Sequence, residues 1–270
     1  ALGAVESTSL LVSLFIGFLL GMGNGVNVCA ARRLGAGDAR GTERTVCSSF
    51  VMCVLIGVVV GVLCFAFSRP LLELLRTKDE FIDGAELYLK IYALGMPAMG
   101  IFNFGNGVLS ASGETKRPLT YLTIAGVLNV ILNLFFVIVC GKAADGVAIA
   151  SVISEYLSAF LIVRHLVMRR DSCRLRFSCA YIDADCCRSV LMLGIPSGIQ
   201  SAIFAAANLF VQSGVNSFDA MLVSGNSAAA NADTLIYNVM AAFYVGCSSF
   251  VSRNLGAGKH DRVKKSYVVG

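Results

Sequence analysis

Seven stretches of this chain are each about as long as a lipid bilayer is thick and nearly free of charge. They cover residues 9–31, 46–67, 87–109, 119–140, 146–163, 190–215 and 229–252, each close to the ~20 residues with which a helix crosses the hydrocarbon. A soluble domain has no use for so many uninterrupted apolar runs. The composition agrees, because 56% of the 270 residues are apolar and only 14% are charged, against roughly 25% charged in an ordinary soluble domain. The runs lack the polar–apolar alternation of membrane strands, and a helix satisfies its own backbone polar groups inside lipid. The expected fold is therefore all-α: a polytopic membrane protein with seven spanning helices. The first run is preceded by Glu6 rather than by a basic stretch, and the chain does not open on Met. The expectation is a true span, not a removable signal peptide, in a chain that does not begin at its natural start.

The basic residues sort by side. Arg32, Arg33, Arg40 and Arg44 follow the first run, and Lys116 and Arg117 the third. Arg164, Arg169, Arg170, Arg174, Arg176 and Arg188 follow the fifth, and Arg253, Lys259, Arg262, Lys264 and Lys265 the seventh. The opposite side carries Arg69, Arg76, Lys78 and Lys142, with Lys90 inside the edge of the third run. Basic loops face the cytoplasm, which puts the amino end of this chain outside and Gly270 on the cytoplasmic side of a plasma membrane. The net charge of +5 is then a topology signal rather than a sign of nucleic-acid binding.

A repeat links the first and seventh runs. Arg32-Arg33-Leu34-Gly35-Ala36-Gly37 returns 221 positions later as Arg253-Asn254-Leu255-Gly256-Ala257-Gly258. Each copy is a helix terminator, with glycine for the left-handed cap and arginine near the negative helix end. Copies six helices apart run the same way through the membrane, which implies two parallel six-helix repeats. On that division residues 1–168 are a first lobe lacking its first helix, 169–188 a cytoplasmic linker, and 189–270 the start of a second lobe.

With these features in place the chain resembles, along essentially its whole length, the multidrug and toxic compound extrusion (MATE) family. The paired Leu-Gly-Ala-Gly ends carry the match, with Leu94-Gly95-Met96-Pro97, Ser112-Gly113-Glu114-Thr115-Lys116-Arg117-Pro118, Asn129-Val130-Ile131-Leu132-Asn133, Gly146-Val147-Ala148-Ile149-Ala150-Ser151 and Gly194-Ile195-Pro196. The resemblance implies twelve helices, of which this chain holds the second to the eighth. It also implies a central cleft, and exchange of organic cations or other amphipathic compounds for sodium or protons, with no other cofactor. The resemblance also implies an acidic coupling residue on a first helix that this sequence does not include.

Asn129 and Asn133 fall on one helical face, within reach of Ser151 on the next helix. Amide and hydroxyl oxygens suit a hard cation, and the resemblance places these residues at the first-lobe cation site; the alternative is interhelical hydrogen-bond glue. Glu155 is the acidic residue deep inside an apolar run, one turn beyond Ser151, and a carboxyl there needs protein, water or a partner. It joins the cation-coupling set, unless it is a solvated interfacial carboxyl.

Gln200, Phe204, Asn208, Phe210 and Gln212 could paint a polar and aromatic stripe toward the cleft, and Asn24 and Asn27 could line it from the first run. The stripe has no carboxylate to pair with a cationic substrate. Pro97, among Gly95, Gly100, Gly105 and Gly107, makes the third run breakable, as a hinge or as a static kink.

Of ten cysteines, Cys29, Cys47, Cys53, Cys64, Cys140 and Cys247 sit in or beside apolar runs, where the residue acts as a small hydrophobe. Cys173, Cys179, Cys186 and Cys187 lie in the linker without paired Cys-x-x-Cys spacing, so no metal site is expected. His165 and His260 are the two histidines, and no nucleophile–base pattern accompanies them, so no enzyme is expected. The leading expectation is a secondary-active exporter of small amphipathic molecules. A lipid or lipid-linked-oligosaccharide flippase of the same superfamily is the rival, followed by a non-transporting scaffold. Neither the substrate nor the oligomeric state is legible.

Overall fold

The computed structural model describes residues 2–74, 79–141, 144–177, 182–215 and 220–269. Arg76, Lys78, Lys142 and Cys179 fall outside the described residues, as do the side chains of Phe210 and Gln212. Among the described residues ten α-helices follow one another: α1 Leu2–Gly35, α2 Ala39–Ala66, α3 Ser68–Leu74, α4 Asp79–Ala93, α5 Met96–Ser112, α6 Lys116–Leu134, α7 Ala144–Met168, α8 Ala184–Val215, α9 Ala220–Gly256 and α10 His260–Val269. A π-helical turn, Phe135–Val139, continues α6. No strand occurs among the described residues, and the chain is an all-α polytopic membrane protein.

Among the described residues five helical stretches are each long and apolar enough to cross a membrane: Leu11–Gly35, Ala39–Ala66, Lys116–Val139, Asp145–Met168 and Leu235–Gly256. The run expected over 87–109 is not one helix. It is α4 followed by α5, parted at Leu94 and Gly95, and Pro97 sits in the first turn of α5, where a residue without an N–H leaves no backbone bond broken. The run expected over 190–215 is the body of α8, which begins six residues earlier because Asp183 Oδ1 accepts from the N–H groups of Asp185 and Cys186.

The two terminator copies fold alike. After α1, the N–H groups of Ala36, Gly37 and Asp38 donate to the carbonyls of Arg32, Leu34 and Arg33; after α9, those of Ala257, Gly258 and Lys259 donate to Arg253, Leu255 and Asn254. Gly37 and Gly258 take φ of +71° and +69°, the left-handed cap that favours glycine. Asp38 then starts α2 by accepting from the Gly41 N–H at 2.9 Å. Lys259 stands at the matching place before α10.

Helix α1 is the axis of the packing, touching α2, α4, α5, α8 and α9. Its Gly21 meets Gly198 of α8 so closely that a Cβ on Gly21 would overlap the Gly198 backbone. Small residues allow that approach, which suits helices without a hydrophobic force to drive them together in lipid. One buried cluster joins Leu19, Val60, Leu89 and Met96, and a second joins Met22, Val46, Phe104, Ile162 and Leu166. Helix α6 turns its apolar side chains outward: Leu119, Leu122, Val127, Val130 and Ile131 are each more than half exposed. In water that surface would be a liability, and against lipid tails it is the expected one.

Candidate functional site

Asn129 and Asn133 lie one turn apart at the end of α6, and their amides form a chain. The Asn133 Nδ2 donates to Asn129 Oδ1 at 3.0 Å, and the Asn129 Nδ2 donates to Ser151 Oγ of α7 at 3.4 Å. The chain ends on Asn133 Oδ1, which is buried without a hydrogen-bond partner. A free carbonyl oxygen in that place lacks a proton donor or a cation. The π turn begins two residues later at Phe135. Such turns shift the register of the side chains that follow and recur at functional sites, and nothing in the sequence marks this one.

Glu155 stands apart from this chain. Its carboxyl sits over the break between α4 and α5, where a Cβ on Gly95 would strike Oε2. The Tyr92 hydroxyl faces it, and Oε2 itself is buried with no partner. The neighbouring Tyr156 donates its hydroxyl to the Leu94 carbonyl at 3.0 Å. Helix α7 thus holds both sides of the break, and of the four residues expected together the structure unites three.

Asn27 is 2% exposed. With Asn24 it lines a small cavity of about 90 Å³ between α1, α8 and α9, whose rim is exposed at Leu193 and Tyr244. Gln200, Phe204 and Asn208 of α8 are exposed, and the Phe204 ring stacks on Tyr237 of α9 with centroids 5.7 Å apart.

Outside the membrane-spanning segments, sequence reasoning missed an ion cluster that ties the α5–α6 turn to the end of α7. Arg169 bonds Glu114 at 2.7 Å and Asp171 at 2.6 Å, and its Nη1 reaches Ser112 Oγ at 3.5 Å. The Arg169 hydrogen bond holds the Asp171 carboxyl below its ordinary range against a smaller opposing effect of burial. At Asp38 the Gly41 N–H is the main cause of a similar lowering, with Arg33 adding to it. Ser112 and Glu114 belong to the motif that carried the family resemblance, and the pairing of Glu114 with an arginine 55 residues away could not be read from spacing.

The MatE family model matches residues 1–135 and 196–270. The chain belongs to the MatE family. It is 28% identical to the probable multidrug resistance protein YpnP of Bacillus subtilis over 97% of this chain and 59% of that protein. It is 22% identical to the FAD transporter of Shewanella oneidensis over 100% of this chain and 60% of that one. Among solved structures, the outward-facing conformation of a multidrug resistance MATE family transporter of the MOP superfamily superposes with a TM-score of 0.87. That match is 20% identical and covers 99% of this chain and 60% of the other, which establishes a shared fold. The chain thus spans about three-fifths of the length of these MatE relatives. MatE proteins are transporters and not enzymes.

Proposed function

We propose that the protein is a secondary-active exporter that moves amphipathic compounds, organic cations among them, in exchange for sodium or protons. Residues 1–168 belong to a first lobe, 169–188 to a linker, and 189–270 to the opening of a second lobe. The ends bearing Arg32 and Arg253 face the cytoplasm, and the bilayer is a plasma membrane. Asn129, Asn133 and Ser151 bind the coupling ion, with Glu155 as a second coupling group. Gln200, Phe204 and Asn208 face substrate, and the α4–α5 break before Pro97 is a hinge.

The observation that carries this reading is the amide–hydroxyl chain ending on the unpartnered Asn133 Oδ1 in a chain of the MatE family. Polar groups inside a bundle that are satisfied by one another leave no place for an ion, whereas a buried oxygen left over can take one. An ion bound there biases the balance between inward-open and outward-open states only through its different affinity for the two.

The test is accumulation of a fluorescent organic cation in cells expressing the complete gene, with the sodium and proton gradients collapsed separately. Retention that rises when one gradient is removed supports the exporter and names its ion. Because one relative is named an FAD transporter, efflux of a flavin is measured alongside. Efflux of neither compound under either gradient would move the function to a flippase.

A further inference from the structure

Asn24 and Asn27 of α1, Ser197 of α8, and Tyr244 and Ser248 of α9 line a cavity of about 90 Å³. Asn27 Oδ1 has no hydrogen-bond partner there and its side chain is sealed from bulk solvent. A buried polar atom left unpaired costs ~1–3 kcal/mol, and the space is roughly that of three water molecules. Asn27 brings one buried, unpartnered oxygen, Asn24, Ser197, Tyr244 and Ser248 add an amide and three hydroxyls to the lining, and no carboxylate is among them. The site therefore suits a particle that offers positive charge to oxygen and does not need a counter-charge. A monovalent cation with one or two waters fits, whereas a divalent one would want acidic ligands.

We propose that this cavity is a second cation site, binding a partly hydrated sodium ion at the junction of the two lobes. It is distinct from the Asn129–Asn133–Ser151 chain on α6 and α7. Its donors come from both sides of the junction: α1 supplies the two amides, and α8 and α9 supply the three hydroxyls. The site is complete only while the basic helix ends are together, and parting them separates the ligands and releases the ion. A cation held this way favours the closed junction by its differential affinity for that state. Val28 and Leu193 line both this cavity and a crevice of about 510 Å³ that reaches Arg32 and Arg33. Those two apolar side chains form the wall the ion passes when the junction opens. Arg32 and Arg33 at that crevice are exposed, and Arg33 is paired with Asp38 at 3.1 Å.

The role in transport rests on the exporter reading, but binding does not, and the experiment measures binding alone. Radioactive sodium is titrated onto the purified full-length protein in detergent. The comparison uses the unmodified protein, Asn133→Ala, Asn27→Ala, Asn27→Asp, and the Asn133→Ala/Asn27→Ala pair, with circular dichroism confirming helix content. The proposal expects Asn133→Ala to keep sodium binding that the added Asn27→Ala removes. It expects Asn27→Asp, which supplies a charge, to tighten binding about tenfold. A merely structural asparagine would give no tightening. Unchanged binding in Asn27→Ala and Asn27→Asp overturns the proposal and leaves a cavity holding water only. Complete loss of binding in Asn133→Ala overturns it too, by assigning all bound sodium to the other site.

Discussion

Gly35 lies against the carbonyl oxygen of Arg253, and Gly256 lies in the same way against that of Arg32. At either glycine a Cβ would fall on the opposing oxygen. Each residue is the other's counterpart in the repeat, so the contact is reciprocal, as at a two-fold interface where i meets j and j meets i. Two helices meeting through their own terminators explain why the Leu-Gly-Ala-Gly motif needs glycine at its second position as well as at the left-handed fourth. They also give the proposed lobes a defined point of closure at the basic end.

Gly35→Ala and Gly256→Ala should therefore each wedge this junction. Forced overpacking of a close contact costs ~1–3 kcal/mol, and thermal unfolding of the purified full-length protein would register it. Gly126 has open space where a Cβ would go, so Gly126→Ala is the control and should change stability little or raise it slightly. Equal loss at all three glycines would mean that helix–helix closeness at the junction is not what the motif provides.

At the α4–α5 break, Gly95→Ala should destabilise the protein because the new methyl meets the Glu155 carboxyl. Removing that carboxyl with Glu155→Ala should recover much of the loss. Residues in contact show coupling of ~0.5–3 kcal/mol in a double-mutant cycle, and a coupling near zero would place the two apart.

The break also shows where sequence reading reached its limit. The apolar runs, the all-α class and both terminators are legible, because span length and left-handed glycines are local properties. Pro97 signals that residues 87–109 do not form an uninterrupted helix, but a proline tolerated inside a helix and one that opens a helix look the same in sequence. Asn129, Asn133 and Ser151 meet as their spacing implies. Glu155 lies four residues after Ser151, and four residues at 3.6 per turn leave a rotation of about 40°. On α7, which packs against both α6 and α4, that rotation is enough to carry the carboxyl from one neighbour to the other. Asn24 and Asn27 face a small cavity between α1, α8 and α9 for a similar reason, since the space on which a polar face opens depends on which helices lie across from it.

Acid should weaken the join between the α5–α6 turn and the end of α7. Asp171, held below its ordinary range by the Arg169 hydrogen bond, contributes stability that is complete above the unfolded carboxylate value of about 3.9. That contribution is lost as pH falls through the lower folded value. Thermal unfolding between neutral pH and pH ~3 should show a decline that is shallower in Asp171→Asn. An identical decline in the variant would remove Asp171 from the cause.

If Asn133 ends a cation site and is not only interhelical glue, Asn133→Ala should abolish gradient-driven efflux while costing no more than ~1–2 kcal/mol of stability, the range for a hydrogen bond between membrane helices. Transport assays and thermal unfolding on the same preparation separate the two. Loss of fold in proportion to loss of transport would favour the glue.

On the proposed function an ion gradient drives export through the complete protein. The most direct measurement is transport in proteoliposomes holding the purified full-length protein, with a sodium or a proton gradient imposed one at a time. Substrate should move against its own gradient under one of them, and Asn133→Ala should abolish that movement. Substrate movement that is equal with and without either gradient would contradict the proposed function.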